Sequence, residues 1–327
     1  MIRRPQDSAQ ALVTASKRES ASPKESLREV RLNQHDEENL IRARRLLVLT
    51  DLHGNLEALR ATEKFAREEL GLKLVDGPLV EAREDEVPVV VTGDFVNPLP
   101  DSVQMLRLIR SREWTCLKGN HEDYISVVRG RREMSGVDRG WRFFPVELAA
   151  RSFAESDLEW MESLPDLISI DDILFFHCGL HSNRRSDFRD WSSRRESIAL
   201  GGHWHRVIDL WWSGKRIYFG GSCGIPLRED GRGPRPEFTV LEQDAGGWRP
   251  RSFDIGYDPS VVVNSWRGSG DLERGGPTAW ALAQELMTGQ RRLSPLMRWL
   301  RARHPGFENW DVARAARVCR DEWGVSI

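Results

Sequence analysis

Five short patches constrain this chain more than anything else in it: Asp51-Leu52-His53-Gly54-Asn55, Gly93-Asp94, Gly119-Asn120-His121-Glu122, His177 and Gly202-His203-Trp204-His205. Each stands at the end of an apolar run of strand length, such as Arg45 to Thr50, Val87 to Thr92 and Ile173 to Phe176. Five of the eight histidines fall inside them. A chain that delivers carboxylate, amide and imidazole groups from successive buried strand ends reads as an α/β protein. Its strands should feed one crevice at their carboxyl ends, where the ligands of such sheets bind.

The runs between the patches set the expected order. Leu56 to Leu70 has helical spacing, with Leu56, Leu59 and Phe65 on one face. Residues 101–111 predict a helix with Asp101 or Ser102 as N-cap, and Trp114 to Leu117 a third strand. Residues 124–165 predict a charged helical insertion beside the site. Ile168 to Ile170 and Ile173 to Phe176 predict a strand pair about the turn Asp171-Asp172. Residues 184–197 read as a solvated loop or helix, and a strand should end near Leu200. Arg216 to Phe219, Glu237 to Leu241 and Trp248 to Asp254 predict antiparallel strands. Beyond Asp258 the pattern is helical, near 277–289, 294–303 and 309–322, with Pro295 and Pro305 as punctuation. At the other end, the part to Lys24 has the composition of a disordered tail, and Ser26 to Ala43 is weakly periodic as a helix.

Two divalent ions about 3.5–4 Å apart can grip the attacking and leaving oxygens of an in-line displacement. Such a pair needs a shared ligand, and Asp94 behind a buried strand and a glycine is the candidate. Gly93 and Gly119 would let the backbone turn and approach closely. Asp51 and His53 are one residue apart, so extended backbone would aim both at one ion; His203 and His205 repeat the spacing. Asn120 can ligate through its amide oxygen without adding charge, which leaves His121 free for proton work. Any one patch alone reads more simply as a turn, a helix cap or a buried histidine. Their conjunction in order reverses that reading.

The order Asp-x-His, Gly-Asp, Gly-Asn-His-Glu, lone His and Gly-His-x-His resembles the calcineurin-like metallophosphoesterase superfamily over roughly Leu46 to Tyr257. Asn97 with Pro100-Asp101-Ser102, and Gly220 to Pro226, are similar to its bacterial and archaeal phosphodiesterase-like branch. The resemblance implies a two-sheet β-sandwich flanked by helices. It divides the chain into an N-terminal extension (1–43), a metallophosphoesterase domain (44–258) and a helical C-terminal extension (259–327). It implies one metal on Asp51, His53, Asp94 and His205, and a second on Asp94, Asn120, His177 and His203. His121 matches the position that assists the leaving group. The implied reaction is attack on a phosphate ester by a hydroxide bridging the two ions.

Where the phosphoprotein-phosphatase branch has Asp-Arg-Gly, with a phosphate-gripping arginine, this chain has Asn97-Pro98-Leu99. That favours a phosphodiester or nucleotide over a phosphoprotein. The alternatives are a serine/threonine-type or diadenosine-tetraphosphatase-like phosphatase and, from another class, a non-catalytic scaffold on the same fold. The intact ligand positions count against the scaffold. Mixed oxygen and nitrogen ligands suit Mn²⁺, Fe or Zn²⁺ better than Mg²⁺ or Ca²⁺, with manganese the first expectation. Trp204 replaces a small residue commonly found between the two histidines, so substrate-binding residues are not assigned.

The formal charge of -2 gives no global electrostatic pull toward nucleic acid or membrane. Arg184, Arg185, Arg194, Arg195 and Arg206 leave a nucleic-acid groove open, although Asp187, Asp190 and Glu196 interrupt them. No apolar stretch approaches the roughly 20 residues of a membrane span. The four cysteines are scattered without a CxxC pair, which reads as reduced thiols in a cytoplasmic protein. Of thirteen tryptophans, Trp191, Trp204, Trp211 and Trp212 surround the last patch. They read as packing, or else as a stacking wall for a flat group. The C-terminal helices should dock on the main domain or form a homo-oligomer surface.

Overall fold

In the computed structural model, which describes residues 27–32, 41–134, 140–228 and 230–323, the apolar runs become strands of two sheets. In chain order these are β1 (Glu29–Leu32), β2 (Arg45–Leu49), β3 (Leu74–Val75), β4 (Val87–Thr92), β5 (Thr115–Leu117) and β6 (Leu167–Ile170). They continue as β7 (Ile173–Phe175), β8 (Ile198–Gly201), β9 (Val207–Trp212), β10 (Lys215–Gly220), β11 (Glu237–Asp244) and β12 (Gly247–Asp254). One sheet runs β12-β11-β2-β4-β3, with β5 also paired to β4; the other runs β1-β6-β7-β8-β10-β9. Strands β2, β4 and β5 are mutually parallel, as are β7, β8 and β10.

Strand β2 shows why its run is apolar throughout. Leu46 and Val48 face the second sheet, among Ile168, Ile170, Phe175 and Leu200. Leu47 and Leu49 face the other way, among Leu59, Met105 and Ile109 of the helices Leu56–Glu68 and Ser102–Ser111. A strand covered on both faces keeps no polar side. A third apolar layer, with Phe176, Trp191 and Phe219, covers the outside of the second sheet. The insertion contains the helices Asn120–Val128, Phe144–Ala150 and Glu155–Ser163. The last segment contains Pro259–Gly268, Asp271–Arg274, Gly276–Thr288, Leu293–Arg303 and Val312–Trp323. Its helices pack on the body through Leu99 and Ile225, and on the insertion through Trp141.

One expectation about the fold is corrected, and one strand is new. Within Ser26–Ala43 the described residues form strand β1, not a helix: Glu29 to Leu32 pair in parallel with Leu167 to Ile170, and Arg194 bridges to Glu29 at 2.7 Å. The disorder expected up to Lys24 lies outside the described residues. Strand β9 went unforeseen. It is an edge strand antiparallel to β10 whose residues alternate between exposed and half-buried, so it shows no apolar run. The polar stretch 184–197 is a loop with one short 3₁₀ turn at Trp191–Ser193. All four cysteines are free and buried. No helix among the described residues is long and apolar enough to cross a membrane.

Candidate metal centre

Because β2, β4, β5, β7 and β8 end on the same side of the sandwich, the five patches meet there. Asp51, His53, Asp94, Asn120 and His177 are buried, with His203 and His205 half-buried. The loops are tied by backbone bonds: Asp51 N–H donates to the Gly93 carbonyl at 3.2 Å, His53 N–H to the Asp94 carbonyl at 2.8 Å and Gly54 N–H to the Phe95 carbonyl at 2.9 Å. Three groups bring their donor atoms within 4.8 Å of one another: Asp51, His53 and His205; His53, Asp94 and His121; Asp94, His177 and His203.

In the first group, His53 Nε2 lies 3.0 Å from His205 Nε2, and His205 Nε2 lies 3.4 Å from Asp51 Oδ1. His53 Nδ1 faces the Asn97 carbonyl at 2.6 Å, and His205 Nδ1 faces the Ile225 carbonyl at 2.7 Å. A carbonyl only accepts, so each Nδ1 carries a proton, and Nε2 is the atom each ring turns toward the other. In the third group, Thr92 fixes the His177 ring through its Nδ1 at 2.9 Å. His177 Nε2 faces Asp94 Oδ2 at 3.0 Å and Asn120 Oδ1 at 3.1 Å, and His203 Nδ1 reaches Asn120 Oδ1 at 2.8 Å. Imidazole nitrogens, carboxylate oxygens and an amide oxygen gathered this closely form a donor set that suits cations between them. Donors about 2.1 Å from a shared ion stand about 3 Å apart when they subtend a right angle. The residues therefore fit two divalent ions, and Asp94 faces both groups.

Burial and neighbouring charge act differently on each group. Burial drives His53 down to about 3, with His121 and His205 adding to it. Burial likewise drives His203 to about 3, with His177 adding. Burial also opposes the charged form of His177, but Asp94 outweighs it and holds that imidazole up at about 10. Asp51 sits at about 2, because His205 outweighs the cost of its burial.

The backbone is not extended here, contrary to the reasoning from spacing. Asp51 (φ 53°), His53 (φ 51°), Asp94 (φ 52°), His203 (φ 72°) and His205 (φ 55°) are all left-handed. Asp51 and His53 meet through a twisted loop. Such strain at non-glycine residues persists where the surroundings over-determine it, and it clusters at functional sites. Gly93 (φ 92°) does make a sharp turn. Gly119 serves instead for close approach, since a Cβ there would collide with the Asp94 carboxylate.

His121 also turns toward the site, but it stands farther from Asp94 than His177 does. Its ring is one-quarter exposed, with Nε2 4.0 Å from Asp94 Oδ2. Asn97 Nδ2 meets its Nδ1 at 3.0 Å. An amide N–H donates, so Nδ1 accepts and the neutral ring's proton sits on Nε2, the nitrogen turned toward the site. Burial lowers this imidazole below its ordinary range.

Two residues had no assigned role in the sequence. Asn97 holds both His53 and His121; its position in place of an acidic residue was the available signal. Glu122 accepts four backbone N–H bonds, from Asp94, Phe95, Val96 and Gly119, at 2.7–3.2 Å. Burial and the Asp94 charge hold its carboxyl up at about 8 against the pull of those donors. Of the two readings of the tryptophans, the stacking wall is not one surface. Trp191 is fully buried and Trp211 is 69% exposed. Trp204 stands edge-on to His203 at 6.2 Å between ring centroids, with its indole N–H donating to Ser186 Oγ at 3.0 Å. Of the arginines near the site, Arg194 pairs with Glu29 and Glu196, and Arg184 lies over the Tyr124 ring at 5.7 Å.

A family model described as calcineurin-like phosphoesterase matches residues 44–242. A metallophosphoesterase from Sphaerobacter thermophilus has a similar structure, with a TM-score of 0.57 and 20% identity, covering 75% of this chain and 99% of the other. The hypothetical protein PH1004 from Pyrococcus horikoshii OT3 aligns with a TM-score of 0.53 and 14% identity, covering 76% and 99%. No curated protein matches the chain in sequence.

Proposed function

The chain belongs to the calcineurin-like phosphoesterase family, a metal-dependent phosphoric ester hydrolase, and on that premise we propose that it cleaves a phosphodiester or nucleotide with two divalent ions, Mn²⁺ first. The observation that carries this reading is the close gathering of ligand atoms, His53 Nε2 by His205 Nε2 at 3.0 Å and His177 Nε2 by Asp94 Oδ2 at 3.0 Å. Asp51, His53, Asp94 and His205 would hold one ion. Asp94, Asn120, His177 and His203 would hold the other. When bound, such a pair supplies an activated water and offsets charge on the phosphoryl oxygens.

The chain's own residues then do the rest. The carbonyls of Asn97, Thr92 and Ile225 hold His53, His177 and His205 with Nε2 bare, as a ligating nitrogen must be. Backbone N–H groups of His203 and His121 hold the Asp51 and Asp94 carboxylates. His121 presents its Nε2 proton to the departing alkoxide, with Asn97 keeping the ring in that tautomer. The preference for a diester over a phosphoprotein rests on Asn97-Pro98-Leu99 standing where a phosphate-gripping arginine would be.

Purified protein with Mn²⁺ should cleave a generic aryl phosphodiester, and Asp94→Ala or His205→Ala should abolish this. Full metal-dependent turnover surviving both changes would sink the ligand assignment. His121→Gln should cost about 10²–10⁴-fold with a poor leaving group while metal content stays unchanged. A panel of phosphomonoesters, cyclic nucleotides, dinucleotides and single-stranded nucleic acid separates the substrate classes.

A further inference from the structure

The turn Gly202 to His205 is left-handed on both sides of Trp204, and what holds it differs from one side to the other. On the His203 side the strand ends hold it. His203 N–H donates to Asp51 Oδ1 and Oδ2 at 3.0 and 2.9 Å, and Gly202 N–H donates to the His177 carbonyl at 2.9 Å. On the His205 side the contacts lead into the segment beyond residue 258. Arg291 Nη2 donates to the Trp204 carbonyl at 3.2 Å. His205 Nδ1 donates to the Ile225 carbonyl, and Ile225 packs among Val262, Val263, Trp266 and Leu286. Leu227 N–H donates to the His205 carbonyl at 3.1 Å, and Arg228 N–H to the Gly289 carbonyl at 2.6 Å. The turn that carries Arg291 is itself fixed. The buried Glu285 carboxylate accepts the N–H groups of Arg292 at 2.7 Å and Leu293 at 3.0 Å.

We infer that Arg291, carried by the C-terminal helices outside the family-matched region, is a positioning residue for His205, and that it maintains the Asp51–His53–His205 metal group selectively. The inference rests on the two-ion reading of the site. Strained backbone relaxes when a restraint is removed. Loss of the guanidinium bond releases the Trp204 carbonyl and loosens the side of the turn that leads to His205, which keeps its bonds to Ile225 and Leu227. The His203 side keeps its bonds to Asp51 and His177. The sign is diagnostic. A cation acting only through its charge would repel divalent ions, so its removal would tighten binding. A positioning group does the reverse.

The test is Mn²⁺ titration of the full-length protein by calorimetry, with thermal melting to establish that each variant is folded. Wild type should bind two ions per chain. Arg291→Ala should weaken one site about tenfold, the equivalent of one hydrogen bond from a charged donor, and leave the other within about twofold. Glu285→Ala, which frees the same turn, should weaken the same site. Arg291→Lys, which keeps a donor, should recover most of the affinity, and the exposed Arg267→Ala should change nothing. Two sites within about twofold of wild type in both Arg291→Ala and Glu285→Ala would overturn the inference alone. So would equal weakening of both sites, or tighter binding at either. Wild type failing to bind two ions would overturn the metal reading and this inference with it.

Discussion

Replacing Glu122 tests whether the site's loops are held as described. Its Oε2 accepts the N–H groups of Asp94 at 2.9 Å and Gly119 at 2.7 Å, and its Oε1 those of Phe95 at 3.0 Å and Val96 at 3.2 Å. The side chain is 1% exposed, so water cannot substitute readily. A buried amide left without an acceptor costs about 1–3 kcal/mol. Glu122→Ala strands four of them, which sums to roughly 4–12 kcal/mol and rivals the roughly 5–15 kcal/mol that a folded domain has in total. Little folded Glu122→Ala protein is expected. Glu122→Gln keeps one acceptor oxygen and sets an NH₂ group against the other pair, a loss of about 2–6 kcal/mol. In a urea titration of metal-free protein, with a slope of about 2–3 kcal/mol per M, the midpoint of Glu122→Gln should fall by about 1–2 M. Because Asp94 N–H is one of the four donors, Mn²⁺ affinity should fall with it. A midpoint within about 0.3 M of wild type would refute the reasoning.

Gly202→Ala should destabilise by at least about 3 kcal/mol and weaken metal binding, because the new Cβ would overlap Thr50 Oγ1 and Asp51 Oδ2; unchanged melting and metal content would contradict the packing. Trp191→Ala should cost about 3–5 kcal/mol, and Trp211→Ala less than about 0.5 kcal/mol, because the first is fully buried and the second 69% exposed; equal losses by denaturation would contradict this. Glu237 is held up at about 7 by burial, against Arg228 and with Asp254 adding. Its native state binds more protons than its unfolded state between about 4.5 and 7, so this component of stability is lost as pH rises through that window. Denaturation midpoints at pH 5 and 8 should therefore diverge in favour of Glu237→Gln by up to about 3 kcal/mol; parallel pH curves would contradict it.

The parts legible from sequence are those where one short stretch decides the outcome. Leu46 to Leu49 is apolar because both faces are covered, and so strand β2 and the position of Asp51 at its end could be read directly. The meeting of Asp51, Asp94, Asn120, His177 and His203 follows from parallel strands ending together. Strand β1 was misread because four residues of alternating character hold too little periodicity to separate helix from strand. Strand β9 was missed because, at an edge, Asp209 and Trp211 can face solvent. The left-handed backbone of Asp51 and His53 is imposed by tertiary contacts and has no local signature at non-glycine residues. Glu122 is legible as a helix-capping glutamate, but not as the acceptor of bonds from the β4 loop. The contact of Arg291 with Trp204 spans 87 positions in sequence and leaves no trace in either stretch.

The central claim is two divalent ions sharing Asp94. Anomalous diffraction from crystals grown with Mn²⁺ tests it most directly. Two peaks about 3.5–4 Å apart are expected, one within reach of Asp51, His53 and His205 and the other of Asn120, His177 and His203, with the Asp94 carboxylate touching both. A single peak, or a pair that Asp94 does not join, would contradict the account.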